Sequence, residues 1–312
     1  MQQVSLIVFP GGFNWPVWVA QEAGFFARRG VAVDVAATPG SAFQWSALAE
    51  GRARMAITLM DNVIAYREGQ GAVPLTVPDA IAVMGLDTRS MPALIGVPAM
   101  REAAQLRGAT LAVDAVETGN ALVLRALLEH HGLPPGTYAL RCAGGVTQRF
   151  EAVQRGEYPA SLFNAPLDAL LTRQGFNVLD RADAVLEHFQ GHVLAVRRSW
   201  AEMHREAVAG VVAALSDALA WLYDPAHRAE AFALYRRSMP DAAAGAEAAA
   251  YEVLFHPVTG FPHDGAIDIE GVAAVLRLRA RYGQPPKRLQ EAAAYYDTGF
   301  LAAANAIRGS AR

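Results

Sequence analysis

Two α/β lobes facing each other across a cleft are the predicted architecture, on three observations. The chain has 312 residues, more than one hydrophobic core normally organises. Short apolar strands alternate with helical stretches along most of it, which argues for mainly parallel sheets. One order of elements is also written twice. The first copy has a strand over 4–9, the Gly11-Gly12 loop and a helix ending at Gly30. A strand over 31–35, Pro39-Gly40-Ser41, a helix closing at Gly51 and a strand over 55–59 complete it. The second copy has a strand over 110–113, the loop Glu117-Thr118-Gly119 and a helix ending near Gly132. A strand over 138–142, Gly144-Gly145, a helix closing at Gly156 and a strand over 160–163 follow.

The elements follow from local signals. Residues 15–29 read as one helix, because Pro16 suits an opening position and Val17, Ala20, Ala23 and Phe26 recur at helical spacing. Ser41 is the expected N-cap of a helix over 42–50, Asp61 of one over 62–69, and Thr118 of one over 119–131. Strands are expected over 80–85, 94–97, 177–179 and 192–196, with a short helix over 101–106. Helices over 146–155 and 166–174 complete the second lobe. The rest is mainly helical: 200–223, broken by Asp224-Pro225, then 226–239, 242–254, 268–282 and 295–307.

Composition excludes several classes. Hydrophobic residues make up 53% and charged residues 18%, so the chain buries a core. Net charge is −3 without a basic cluster, so neither nucleic acid nor an anionic membrane is an expected partner. No apolar run reaches the roughly 18–20 residues of a membrane span. Lys287 is the only lysine, which leaves Schiff-base chemistry almost nothing to use. Cys142 is the only cysteine, so no internal disulfide forms, and in an apolar strand it reads as a small buried hydrophobe. Met1-Gln2-Gln3 leads directly into a strand, without a basic segment followed by an apolar stretch, so either a mature form with a restored methionine or a cytoplasmic protein is expected.

In such lobes a ligand lies beyond the strand C-termini, over helix N-termini. The loops that meet this condition are 11–15, 40–43, 60–62, Asp87-Thr88, 117–120, 144–146 and 164–166. Ser41, Thr118, Gly119 and Gly145 stand at helix starts, whose free N–H groups and dipole suit a carboxylate or sulfonate. Trp15 and Phe43 flank these loops and are expected to stack on the ligand body, although core packing is the alternative for any such ring. Asn14, Asp61 and Asn164 are expected to orient the ligand, or only to cap turns. Asp61 would select a ligand with a hydrogen-bond donor. His192 reaches the cleft if the chain crosses between lobes there. His188 and His192 share metal-pair spacing only on one helix, which Gly191 opposes, so no metal site is expected.

Gly24-Phe25-Phe26, followed by Gly30-Val31 and a strand, resembles the opening of the periplasmic solute-binding proteins of ABC importers. The group concerned is the nitrate/sulfonate/taurine and thiamine-pyrimidine-precursor binders. Further matches are Gly51 before Met55-Ala56-Ile57, the run 106–113, Leu127 to Leu133, Gly156 to Pro166, the run 264–268, and Tyr295-Tyr296-Asp297. Each motif is weak alone, but their order is specific for the fold. There are departures at the cleft. Met55 and Pro159 replace the family's Asp before each strand, and Asn164-Ala165 precedes Pro166 where the family has Glu. No Arg or Lys falls in the cleft loops, which argues against simple nitrate or sulfonate capture.

The resemblance implies a type II periplasmic-binding-protein fold, with two Rossmann-like lobes, a central cleft and C-terminal helices. Lobe 1 would comprise 1–88 and 192–312, and lobe 2 the inserted 89–191. It implies capture of a small organic molecule, aromatic or anionic, by a monomer that delivers it to an ABC permease, with no cofactor. The location would be periplasmic if a leader has been removed and cytoplasmic otherwise. An enzyme or sensor on the same scaffold is the alternative. Pyrimidine-synthase chemistry lacks its lysine and cysteines here, and desulfinase chemistry its first-loop cysteine, while a decarboxylase stays open.

Overall fold

The computed structural model describes residues 1–87 and 91–309, so Thr88 of the expected cleft loop lies outside the described residues. The chain begins β1 (Gln2–Val8), α1 (Trp15–Glu22), α2 (Phe25–Arg28), β2 (Val31–Ala37), α3 (Ser41–Ala49), β3 (Met55–Leu59), α4 (Met60–Glu68) and β4 (Ala80–Gly85). It continues β5 (Ala93–Gly96), β6 (Thr110–Val113), α5 (Gly119–His130), β7 (Ala139–Cys142), α6 (Val146–Gln154), β8 (Ala160–Phe163), α7 (Leu167–Arg173) and β9 (Asn177–Arg181). The return is β10 (His192–Arg197), α8 (Arg198–Met203), α9 (Arg205–Tyr223), α10 (Arg228–Ser238), α11 (Ala246–Leu254), α12 (Ile269–Tyr282) and α13 (Gly299–Gly309).

Two five-stranded sheets result, in the orders β2-β1-β3-β10-β4 and β7-β6-β8-β5-β9. The repeated sequence pattern appears as two matching parallel triplets, β2-β1-β3 and β7-β6-β8. The expectation of mainly parallel sheets is corrected at β10 and β5, which run antiparallel to both neighbours. The reason is the crossing between lobes. A chain leaving one sheet at its C-terminal edge enters the other from the same cleft side, and so runs backward through it.

Side chains along β1 alternate between two cores, as strand geometry requires. Val4, Leu6 and Val8 face the helices α1 and α9, and Ile7 faces Trp45, Ile64 and Tyr66. Among the described helices α9 alone is long and apolar enough to cross a membrane, but 72% of its apolar stretch is buried inside the body. It is the central core helix of lobe 1.

Several boundaries move for local reasons. The helix expected over 15–29 breaks at Gly24, which adopts a left-handed φ of 69°. The one expected from 200 breaks at His204. Tyr295 to Asp297 extends along β4 instead of opening a helix, with Ala82 N–H donating to Tyr295 O and Asp297 N–H to Ala82 O, both at 2.9 Å. Cys142 is exposed, not buried, because it ends β7, the outer strand of its sheet.

Candidate functional site

The C-terminal edge of the first sheet gathers Asn14, Phe13, Asp87 and His192. Asn14 fixes the loop after β1, its Nδ2 donating to Phe9 O at 2.6 Å and Gly11 O at 3.1 Å, while its buried Oδ1 has no partner among the described residues. Phe13 from that loop stacks on the His192 ring, centroids 4.8 Å apart. His192 opens β10, and its Nδ1 lies 3.2 Å from Asp87 Oδ1. Gly191 permits this approach, since a Cβ there would fall 1.8 Å from Asp87 Oδ2. Asp87 thereby orients the imidazole, and among the described residues Nε2 has no hydrogen-bond partner.

Asp114, Thr118, Gly119, Cys142, Gly145 and Arg149 lie along the facing edge of the second sheet. Thr118 is the N-cap of α5 as expected, but its hydroxyl turns back to Asp114 Oδ1 at 2.7 Å and Ala115 O at 3.0 Å. Gly145 caps α6, again without a side-chain bond. The first N–H groups of both helices are therefore left without a side-chain acceptor at the N-cap. Arg149, one turn into α6, is buried, and its Nη1 donates to Leu162 O at 2.8 Å and Ser161 Oγ at 3.1 Å. Burial pulls its guanidinium below the ordinary arginine range, against the opposing influence of Asp114 and Cys142. Asn164 is half-buried before α7, its carbonyl accepting Leu167 N–H at 3.0 Å.

The lobes also meet directly. Arg279 of α12 is fully buried; its Nε donates to Asp61 Oδ1 at 2.9 Å, and its Nη2 bonds both Asp61 Oδ2 and, at 2.6 Å, Glu117 O in the other lobe. Gly119 sits against Asp61, where a Cβ would lie 2.6 Å from the Asp61 Cβ. At a second place Arg173 of α7 pairs with Glu252 of α11 at 2.9 Å, both exposed.

These positions correct several expectations. Asp61 is not offered to a ligand, because Arg279 supplies its donors; nor does it cap α4, which starts at Met60 after Leu59. Ser41 is the first residue of α3, with Gly40 at the cap. Trp15 does not line the cleft: it is fully buried among Tyr235, Tyr251, Phe255 and Phe232, centroids 4.6 to 6.4 Å away. Phe43 is 47% exposed, with the Arg52 guanidinium 5.3 Å above its ring.

Arg149 and Arg279 escaped the sequence reading, yet each carries a signal. Arg149 shares a helical stripe with Ala152 and Val153, and Arg279 with Val272 and Val275, all buried. A charge on the apolar stripe of a helix has a buried task. Among the described residues no group of three His, Cys, Asp or Glu is placed to hold a metal ion.

Comparison with solved structures gives the same two-lobed fold over nearly the whole chain. The periplasmic nitrate-binding protein NrtA from Synechocystis PCC 6803 superposes with a TM-score of 0.78 at 13% identity, covering 98% of this chain and 89% of its own. The alkanesulfonate-binding protein SsuA from Xanthomonas axonopodis pv. citri, bound to MOPS, gives 0.75 at 16% identity, covering 95% and 99%. A desulfurization enzyme, DszB, gives 0.62 at 12% identity, covering 99% and 100%. No curated protein matches the sequence. The architecture is thus the type II periplasmic-binding-protein fold that the resemblance implied, with the two lobes expected from the repeated pattern. The model of the NMT1-like family matches residues 2–235, three quarters of the chain, and the protein belongs to that family.

Proposed function

We propose that this chain is the solute-binding component of an ABC importer, closing its two lobes on a small organic molecule and presenting it to a membrane permease. The lobes would be 1–88 with 192–312, and 89–191, as expected from the sequence. The observation that carries the reading is the pair of facing sheet edges. One offers the imidazole held by Asp87 and stacked on Phe13, and the other offers uncapped helix starts beside a buried guanidinium. Only contacts made by both edges favour closure, so a ligand spanning them shifts the equilibrium toward the closed form. Phe13 and His192 receive the ligand body. Asn14, Thr118, Gly119, Gly145 and Asn164 set its orientation. The protein acts as a monomer, and the periplasmic neighbours support the same location.

A second reading is catalysis on this scaffold. His192 with its carboxylate partner has the arrangement of an oriented general base, and the fold is shared with a desulfurization enzyme. Thermal unfolding with aromatic acids, sulfonates, pyrimidines and amino acids separates the two. A solute at 100 times its dissociation constant adds about 2.7 kcal/mol of stability. It should also compact the protein in small-angle scattering and be recovered unchanged. Turnover of a solute, with His192→Gln abolishing it, would replace capture by catalysis.

A further inference from the structure

We propose that Arg149 seats an oxyanion of the captured solute, a carboxylate or a sulfonate, in lobe 2. The proposal deepens the solute-capture reading and rests on it. Two arginines in the described chain are buried, and they are treated differently. Arg279 has the carboxylate of Asp61 on two of its nitrogens. Arg149 is only 2% exposed, and among the described residues it has no ion-pair partner. Its hydrogen bonds run through Nη1 to a neutral hydroxyl and a neutral carbonyl, and its buried Nε has no partner among the described residues. A buried cation without a counter-ion is costly to keep.

Its surroundings point to the missing partner. Leu162 stands one residue before the end of β8, Cys142 ends β7, and Asp114 follows β6. The guanidinium therefore lies among three strand C-termini, the edge at which this fold receives ligands. Asp114 is near enough to act on its charge but forms no ion pair with it among the described residues, its Oδ1 accepting instead from Thr118 Oγ1 at 2.7 Å. The Cys142 thiol likewise donates to Asp114 O at 2.8 Å. The uncapped start of α6 at Gly145, one turn away, adds N–H donors of the same sign. A planar guanidinium with free N–H groups matches the two oxygens of a carboxylate or sulfonate. The cleft loops contain no Arg or Lys, yet the charge they lack is supplied from within a helix behind them.

The test follows the Arg149 Nε resonance of the full-length protein by 15N NMR, with acetate, methanesulfonate and neutral acetamide at high concentration as probes. One of the two anions should displace the signal and raise Tm, and acetamide should do neither. Arg149→Met should abolish that Tm rise without lowering the ligand-free Tm, and Arg149→Lys should retain part of it. If neither anion moves the resonance, or if Arg149→Met keeps the anion-dependent Tm rise, the proposal is overturned. If Arg149→Met does not fold, the resonance of the unaltered protein still decides. Compaction by neutral solutes with a silent Arg149 overturns the oxyanion seat and leaves capture intact. Displacement by an anion when no solute ever compacts the protein keeps the seat and overturns capture.

Discussion

Arg279 and Asp61 form a doubly hydrogen-bonded ion pair with side chains 0% and 2% exposed, and the same guanidinium bonds the backbone of Glu117 in the opposite lobe. One residue thus neutralises a charge in lobe 1 and holds a carbonyl of lobe 2 just ahead of Thr118 and Gly119. Breaking a buried pair from one side leaves an uncompensated charge. Asp61→Ala should therefore cost about 3–5 kcal/mol in urea unfolding. The double change Asp61→Leu with Arg279→Met should recover most of that loss. A single variant of unchanged stability would mean the pair is not closed in solution.

Gly119 packs directly against Asp61, with no room for a side chain between them. A methyl group there meets Asp61 Cβ at 2.6 Å, and neither backbone can give way without separating the lobes. Gly119→Ala should cost about 1–3 kcal/mol by overpacking. It should also raise the radius of gyration in small-angle scattering, which a purely local clash would leave unchanged.

Trp15 anchors a cluster in which Tyr251 and Phe255 belong to or follow α11, the helix that faces α7 across the Arg173–Glu252 pair. Trp15→Ala should cost about 3–5 kcal/mol by leaving a cavity. Trp15→Phe should leave ligand affinity close to that of the unaltered chain in calorimetric titration. A large affinity loss with intact stability would return Trp15 to the binding surface.

Tyr282 and Glu129 join α12 to α5 through a hydroxyl–carboxylate hydrogen bond of 2.5 Å. Burial, followed by that bond, pushes the Tyr282 phenol up to about 12. Its contribution is complete below the ordinary tyrosine value near 10 and is lost as pH rises from there to about 12. The hydrogen bond from Tyr282 is the main cause holding Glu129 below the usual carboxylate range. That contribution is present above pH ~4.3 and is lost as pH falls through the lowered value. Tyr282→Phe should flatten both limbs of a stability–pH profile measured by urea unfolding, and unchanged limbs would exclude the pair as their source.

The strands and helices were readable in sequence where glycines stop helices and apolar residues alternate, as at Gly30, Gly51, Gly132 and Gly156. The direction of β5 and β10 was not, because it depends on which side the chain enters a sheet built elsewhere. The site was legible as a set of loops and only partly as a set of roles. Asp61 and Arg279 are 218 residues apart, so no local pattern could assign the aspartate its partner. Trp15 likewise looks like a cleft ring from its own neighbourhood. Its burial depends on Tyr235, Tyr251 and Phe255, which arrive from the far end of the chain.

Cys142, exposed at the tip of β7, is the only thiol, and Lys287, which holds Glu68 at 2.7 Å, is the only side-chain amine. The first belongs to the strands of one lobe and the second is salt-bridged to a helix of the other. A maleimide dye and an amine-reactive dye, with the α-amino group blocked, would therefore label opposite halves of the unmutated molecule. Energy transfer between them would report opening and closing one molecule at a time.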